Sequence, residues 1–270
     1  QNMLLQQLKA RLFVASQAHY ASHRWYGSYR RLELERVTAC PVDPGNLPAG
    51  FGRWVDERIV EYPWFFSQLP EGPGMLLDAG STLNHDFVLR HSKLREKKIT
   101  IMTLAPEEQC YWNSGISYVY GDLRHTFFRD NTFDVVASLS VIEHIGLDNR
   151  IYDSAARGSA INPEGYAVAV AEFRRLLKPG GRCLITVPFG KPAVRNWLQI
   201  FDAAMIDRII AAFQPASHSE VYFRYSEASG WQSVPREAAA DEGYFDVHHD
   251  TPWPGCPAAA GAVACLALMK

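Results

Sequence analysis

From Met75 onward the sequence alternates short apolar runs with longer stretches of helical periodicity, and few architectures accept that pattern. Met75 to Ala79, Ile99 to Leu104, Ile116 to Tyr120, Phe133 to Leu139 and Arg182 to Val187 read as buried strands, because each is largely apolar over a strand's length. Asn84 to His91 and Tyr166 to Leu177 read as helices between them. Strands alternating with helices predict a mostly parallel sheet joined by right-handed crossovers. Beyond Pro188, the spacing predicts a helix over Phe201 to Phe213 and two more strands, Val221 to Tyr225 and Ala262 to Met269.

The first part of the chain differs. Leu4, Leu5, Leu8, Leu12 and Val14 recur at helical spacing, followed by Arg24-Trp25-Tyr26 and the pair Arg30-Arg31. A connector rich in proline and glycine runs from Pro41 to Gly52, a short helix is expected over Val55 to Gln68, and Pro70-Glu71-Gly72-Pro73-Gly74 closes the region. The expected organisation is a helical cap or lid over residues 1–72, a ligand-binding core over 73–190, and a C-terminal part over 191–270 that completes the sheet and walls a substrate pocket.

Composition bounds the function. The chain is 47% hydrophobic and 12% aromatic, enough for a full core, and its net charge of −2 offers no basic footprint for nucleic acid. Cys40, Cys110, Cys183, Cys256 and Cys265 are scattered without metal-binding or disulfide-framework spacing, so no metal is expected and reduced thiols in a cytoplasmic protein are the expectation. No apolar run reaches the roughly 18 residues of a membrane span. Lys9 and Arg11 interrupt the N-terminal apolar stretch, so no signal peptide is expected, and a start at Gln1 rather than Met suggests a processed or truncated form.

Four segments carry a family resemblance. Leu76-Leu77-Asp78-Ala79-Gly80 is an apolar strand ending in Asp-x-Gly, Gly121-Asp122-Leu123 follows the third strand, and Phe133-Asp134-Val135-Val136 leads into Val141-Ile142-Glu143-His144-Ile145. Leu176-Leu177-Lys178-Pro179-Gly180-Gly181 precedes the fifth strand. Over about residues 73–190 the chain resembles the class I S-adenosylmethionine (SAM)-dependent methyltransferases, specifically the broad type 11 group. The resemblance implies a Rossmann-like, seven-stranded, mostly parallel sheet with helices on both faces and a SAM cleft at the C-terminal ends of the strands. It implies cofactor contacts from Asp78, Gly80 and Ser81 to the methionine part, Asp122 to the adenine amino group, Leu123 to the adenine ring, and Ser138 and Ser140 where strand four opens. Two positions depart from the pattern: Gly80-Ser81-Thr82-Leu83-Asn84 keeps only the first glycine, and Thr103, beside Leu104, stands where a carboxylate would grip the ribose. A threonine supplies one hydroxyl in place of two carboxylate oxygens.

His144 is the candidate base for an oxygen acceptor, or a wall of the cleft, with Glu143 beside it. In His248-His249-Asp250, His249 is a second candidate base or a solvated loop residue. Trp197, after Asn196, is a candidate wall of the acceptor pocket, and Trp231, read as lying in a glycine-bearing loop, is a candidate stacking platform, with core packing the alternative for both. The resulting expectation is a methyltransferase acting on a small-molecule or sugar-containing acceptor, similar to type 11 members of glycan or natural-product biosynthesis. A non-catalytic methyltransferase-like binding or partner subunit is the alternative. A nicotinamide oxidoreductase is disfavoured, because Gly-x-Gly-x-x-Gly is absent.

Overall fold

A computed structural model describes residues 3–150 and 161–270. Eight strands form one sheet: β1 (Gly74–Ala79), β2 (Lys97–Thr103), β3 (Ser117–Tyr120), β4 (Phe133–Leu139), β5 (Leu177–Pro188), β6 (Ser217–Ser226), β7 (Gly230–Val234) and β8 (Ala262–Met269). Their order is β3-β2-β1-β4-β5-β8-β6-β7. The first five pair in parallel, whereas β8 is antiparallel to both β5 and β6, and β6 is antiparallel to β7. All seven expected strands are present, and β7 adds an eighth at the edge.

The strands are continuously apolar because both faces are covered. Leu77, Val136, Cys183 and Ile185 join one apolar cluster, while Leu76, Val135, Ala137 and Leu184 join another. That is the two-residue alternation of a strand with no solvent side. Helix α5 (Gly165–Leu176) covers the first face with Tyr166, Ala169, Val170, Phe173 and Leu176, a stripe of helical periodicity. Helix α6 (Ala203–Phe213) joins the same cluster through Met205, Ile206, Ile209 and Phe213, and the Asp202 carboxylate caps it by accepting the Met205 N–H at 2.8 Å.

The N-terminal helices are α1 (Met3–Val14), α2 (Tyr26–Ala39) and α3 (Arg58–Gln68). Helix α3 begins three residues later than its periodicity suggests and buries Ile59 to Phe66 without a break. Tyr62, Trp64 and Phe65 pack into the second cluster together with strand residues, so the N-terminal helices and the sheet share one core.

Two expectations are corrected. The helix expected over Asn84 to His91 shrinks to α4 (Asp86–Leu89), because the Asn84 side chain is committed elsewhere. Its amide donates to the Gln109 carbonyl at 3.0 Å and its oxygen accepts from the Tyr118 hydroxyl at 2.8 Å. The Lys178-Pro179-Gly180-Gly181 segment is part of β5 rather than a turn before it. Lys178 pairs with both oxygens of Asp134 at 2.9 and 2.8 Å, and Asp134 also accepts the Met75 N–H at 2.8 Å. A side chain at Gly181 would stand 2.9 Å from the Lys178 carbonyl. The most family-specific motif therefore ties the starts of β1, β4 and β5 together, at the opposite end of the sheet from the cleft.

Candidate functional site

A parallel sheet whose strand order reverses beside β1 leaves a crevice at the C-terminal strand ends. Here that crevice is a cleft of about 540 Å³, within the range of small-molecule sites. Its wall includes Gly80 and Ser81 after β1, Thr103 and Leu104 at the end of β2, Asp122 and Leu123 after β3, and Ser140 and His144 after β4.

The turn after β1 is held from within. Asp78 is 0% exposed, and its carboxylate accepts the Thr82 and Leu83 N–H groups at 3.2 and 2.8 Å. Burial pushes this carboxyl up to about 7, against those two amides. Asp78 thus shapes the turn and stands behind the cleft wall. Gly80 has φ of +126°, and a Cβ there would lie 2.3 Å from a Val141 methyl. The glycine is demanded by the close passage of the β4 exit, in addition to any ligand. Ser81 and Ser140 both adopt left-handed backbone, with φ of 68° and 46°, at the ends of adjacent strands. Each such residue costs on the order of 1–3 kcal/mol, and such strain concentrates at ligand sites.

Helix α3 supplies what holds Ser140. Glu61 is 0% exposed, and its Oε1 accepts the Ser140 and Thr186 hydroxyls at 2.6 and 2.5 Å. Its other oxygen pairs with Arg58, which also donates to the Leu139 carbonyl at 3.0 Å. Tyr62 of the same helix donates to the Thr82 carbonyl at 2.9 Å. These contacts, none of them anticipated, seat α3 on the exits of both β1 and β4. The Arg58-x-x-Glu61 spacing was their only sequence signal.

His144 donates Nδ1–H to the Trp197 carbonyl at 2.8 Å, which places the ring lone pair on Nε2. Its ring stacks on Trp197 with centroids 5.1 Å apart. Burial lowers its pKa to about 4, so the ring is neutral across the physiological range. Glu143 is 3% exposed, lies behind the wall, and is pushed well above the usual carboxylate range by burial. Its Oε1 lies 3.7 Å from His144 Nε2.

Other expected residues fall elsewhere. Ser138 is 0% exposed and faces the core. Trp231 is no stacking platform: it lies on β7 rather than in a loop, is 0% exposed, and donates to the Val55 carbonyl at 2.9 Å. His249 stands outside the cleft wall, donating to Asp246 at 2.9 Å. Trp197 donates to the same Asp246 carboxylate at 2.9 Å, so it buttresses His144 from behind. Asp122 is on the wall, but Arg124 grips both its oxygens. Burial opposes ionisation there, yet the Arg124 contacts leave its carboxyl below the ordinary value. Sequence reasoning missed Arg30, Arg58, His85, Glu107 and Glu108, all of which line the cleft. Among the described residues, no cluster of ligands suits a metal ion.

A mostly parallel, doubly wound sheet with this strand order and a crevice at the strand ends is a Rossmann-like, methyltransferase-type fold. Residues 98–185 match the family model described as a methyltransferase domain. The chain is 25% identical over 192 residues to the ubiquinone/menaquinone biosynthesis C-methyltransferase UbiE of Desulfotalea psychrophila, covering 66% of this chain and 68% of the relative. Among solved structures, the 1,6-didemethyltoxoflavin-N1-methyltransferase of Burkholderia thailandensis aligns with 15% identity and a TM-score of 0.44, covering 74% of this chain and 72% of that one. Phosphoethanolamine N-methyltransferase 2 of Haemonchus contortus aligns with 16% identity and a TM-score of 0.42, over 59% and 37%. Residues 98–185 thus match a methyltransferase domain, a class of enzyme whose usual methyl donor is SAM. The cleft fits that group: its volume is adequate, Leu123 offers an apolar surface, and the buried Ser81 hydroxyl has no hydrogen-bond partner among the described residues.

Proposed function

We propose that the protein transfers a methyl group from SAM to a hydroxyl of a small-molecule or sugar-containing acceptor. The observation that carries the reading is His144, on the cleft wall, neutral, and fixed in one tautomer by Trp197. Bound SAM supplies an electrophilic methyl on a sulfonium, displaced in line. The chain's task is to position both substrates in a dry pocket and to receive a proton. A hydroxyl becomes strongly acidic once its oxygen is alkylated, so even a weakly basic imidazole suffices to take the proton.

In this reading, Gly80 and Ser81 lie along the methionine part, Asp122 and Leu123 hold the adenine, and Thr103 serves the ribose in place of a carboxylate. Residues 1–72 act as a cap, 73–190 as the cofactor-binding core, and 191–270 as the acceptor side. The similar UbiE protein is named as a C-methyltransferase, so oxygen rests on His144 alone. Five free cysteines accord with a reducing, cytoplasmic setting, and a glycan or natural-product pathway would supply such an acceptor.

Calorimetry with S-adenosylhomocysteine tests the cofactor site: binding is expected, and Asp122→Ala should weaken it roughly 10-fold, the worth of one charge-assisted hydrogen bond. Unchanged affinity would remove Asp122 from the adenine. Radiolabelled methyl transfer to a panel of hydroxyl, amine and activated-carbon acceptors tests the rest. Transfer to oxygen that survives His144→Gln undiminished would refute the assigned base. Cofactor binding with no transfer to any acceptor would favour the non-catalytic alternative.

A further inference from the structure

Helix α1 turns its leucines outward. Its inner side is anchored by Ala10 and Phe13, and the Phe13 ring, 0% exposed, stacks on Tyr29 of α2 with centroids 4.8 Å apart. At about 3.6 residues per turn, Leu4, Leu5, Leu8 and Leu12 fall in one sector on the opposite side. Leu4 is 72% exposed and Leu8 54%, and Leu5 and Leu12 are exposed as well, while Gln6 and Lys9 are half-buried. A helix that merely covered a core would carry the reverse pattern. Residues four apart are neighbours on a helix surface, so these leucines make a continuous ridge. Contiguous exposed apolar surface of this kind marks an interaction site.

Charge selects the occupant. Lys9 and Arg11 border the ridge on either side. Lys9, Arg11 and Arg24 enter no ion pair among the described residues, whereas Arg30 pairs with Asp56, and Arg31 with Glu35 and Asp86. Residues 1–32 hold these five cations and no Asp or Glu, although the whole chain carries −2. A second copy docked on this face would bring cation against cation, with no acidic side chain of the segment between them. The helix rises only about 18 Å, too short for a bilayer core of roughly 30 Å but long enough to lie along its surface. A leucine ridge bordered by cations suits an anionic lipid surface, with the apolar side chains among the acyl chains and Lys and Arg at the headgroups. We infer that α1 is a docking helix that seats the protein on a lipid surface bearing anionic headgroups.

The test is co-sedimentation of the full chain with vesicles of phosphatidylcholine alone and of equal parts phosphatidylcholine and phosphatidylglycerol. Binding to the mixed vesicles should be roughly 10- to 100-fold tighter, the worth of Lys9 and Arg11 near the surface. Leu8→Gln with Leu12→Gln removes half of the ridge, so it should weaken that binding at least about 10-fold. Both positions face solvent, so the melting temperature should stay within about 2 °C. Lys9→Gln with Arg11→Gln should bring the two vesicle types within about threefold of each other. A chain that ignores the mixed vesicles, or binds both types equally, would overturn the inference. So would binding that both double variants leave unchanged, which would put the lipid contact elsewhere on the protein. A marked fall in melting temperature for the leucine variant would show those side chains packed within the fold and would also overturn it. Sedimentation velocity without lipid completes the test: a dimer that the leucine variant dissolves would give the ridge to a second copy instead.

Discussion

Glu61→Ala tests whether the cap is welded to the sheet by charge. Glu61 is fully buried, pairs with Arg58, and receives the Ser140 and Thr186 hydroxyls. Truncating it leaves a largely buried guanidinium without its counter-ion, which costs about 3–5 kcal/mol in comparable pairs. The two hydroxyls lose their acceptor, adding about 1 kcal/mol net because they lie close enough to re-pair. The sum, about 4–6 kcal/mol, is a large part of ordinary domain stability and corresponds to a fall in melting temperature of roughly 10–20 °C. Urea denaturation without ligand, followed by circular dichroism and tryptophan fluorescence, measures it. The double variant Arg58→Met with Glu61→Leu should regain most of the loss, since an apolar pair of similar volume replaces a desolvated ionic one. A loss below about 1 kcal/mol for Glu61→Ala, or no recovery in the double variant, would refute the reasoning.

Gly80→Ala should cost about 2–4 kcal/mol, combining a disfavoured φ of +126° with the Val141 clash, and Val141→Ala should relieve only the clash. Equal stability of Gly80→Ala and the parent in denaturant titration would contradict this. Trp231→Ala should cost about 3–5 kcal/mol as a core truncation and leave S-adenosylhomocysteine affinity within about twofold when measured below the melting range. Weakened binding with unchanged stability would make Trp231 a ligand contact after all. The His144 pKa falls from 6.5 in the unfolded chain to about 4 when folded, so between those values the unfolded state binds more protons. Acidification from about pH 7 to pH 5 should therefore cost about 2 kcal/mol through this ring, an increment that His144→Gln lacks. Identical acid losses in both proteins, by urea titration at the two pH values, would rule that out.

The strands were legible because burial on both faces removes the polar half of the pattern, leaving runs such as Met75 to Ala79. The stretch from Asn84 was misread because helical spacing cannot show that the Asn84 side chain is claimed by Gln109 and Tyr118. The same limit hid the cap network. Arg58 and Glu61 stand one turn apart on their helix, but Ser140 and Thr186, which donate to Glu61, lie 79 and 125 residues away from it. Trp231 misled in the other direction: Gly230 suggested a loop, but that glycine fits against the Phe51 backbone and starts a strand. His144 was legible by its position after β4, whereas the support from Trp197 and Asp246 depends on tertiary contact alone.

The insertion of β8 between β5 and β6 bears on how the molecule is made. The strand that joins the five parallel strands to the β6–β7 hairpin is the last of the eight in chain order. Until residues 262–269 have left the ribosome, β5 and β6 each present an open, apolar edge with no neighbour to cover it. Closure then depends on pairing Cys265 with Thr186 and Val221, contacts remote in sequence and correspondingly slow to find. Synthesis of this chain accordingly contains an interval in which the nascent sheet is most prone to misassociate, and a chaperone holding those edges would act there.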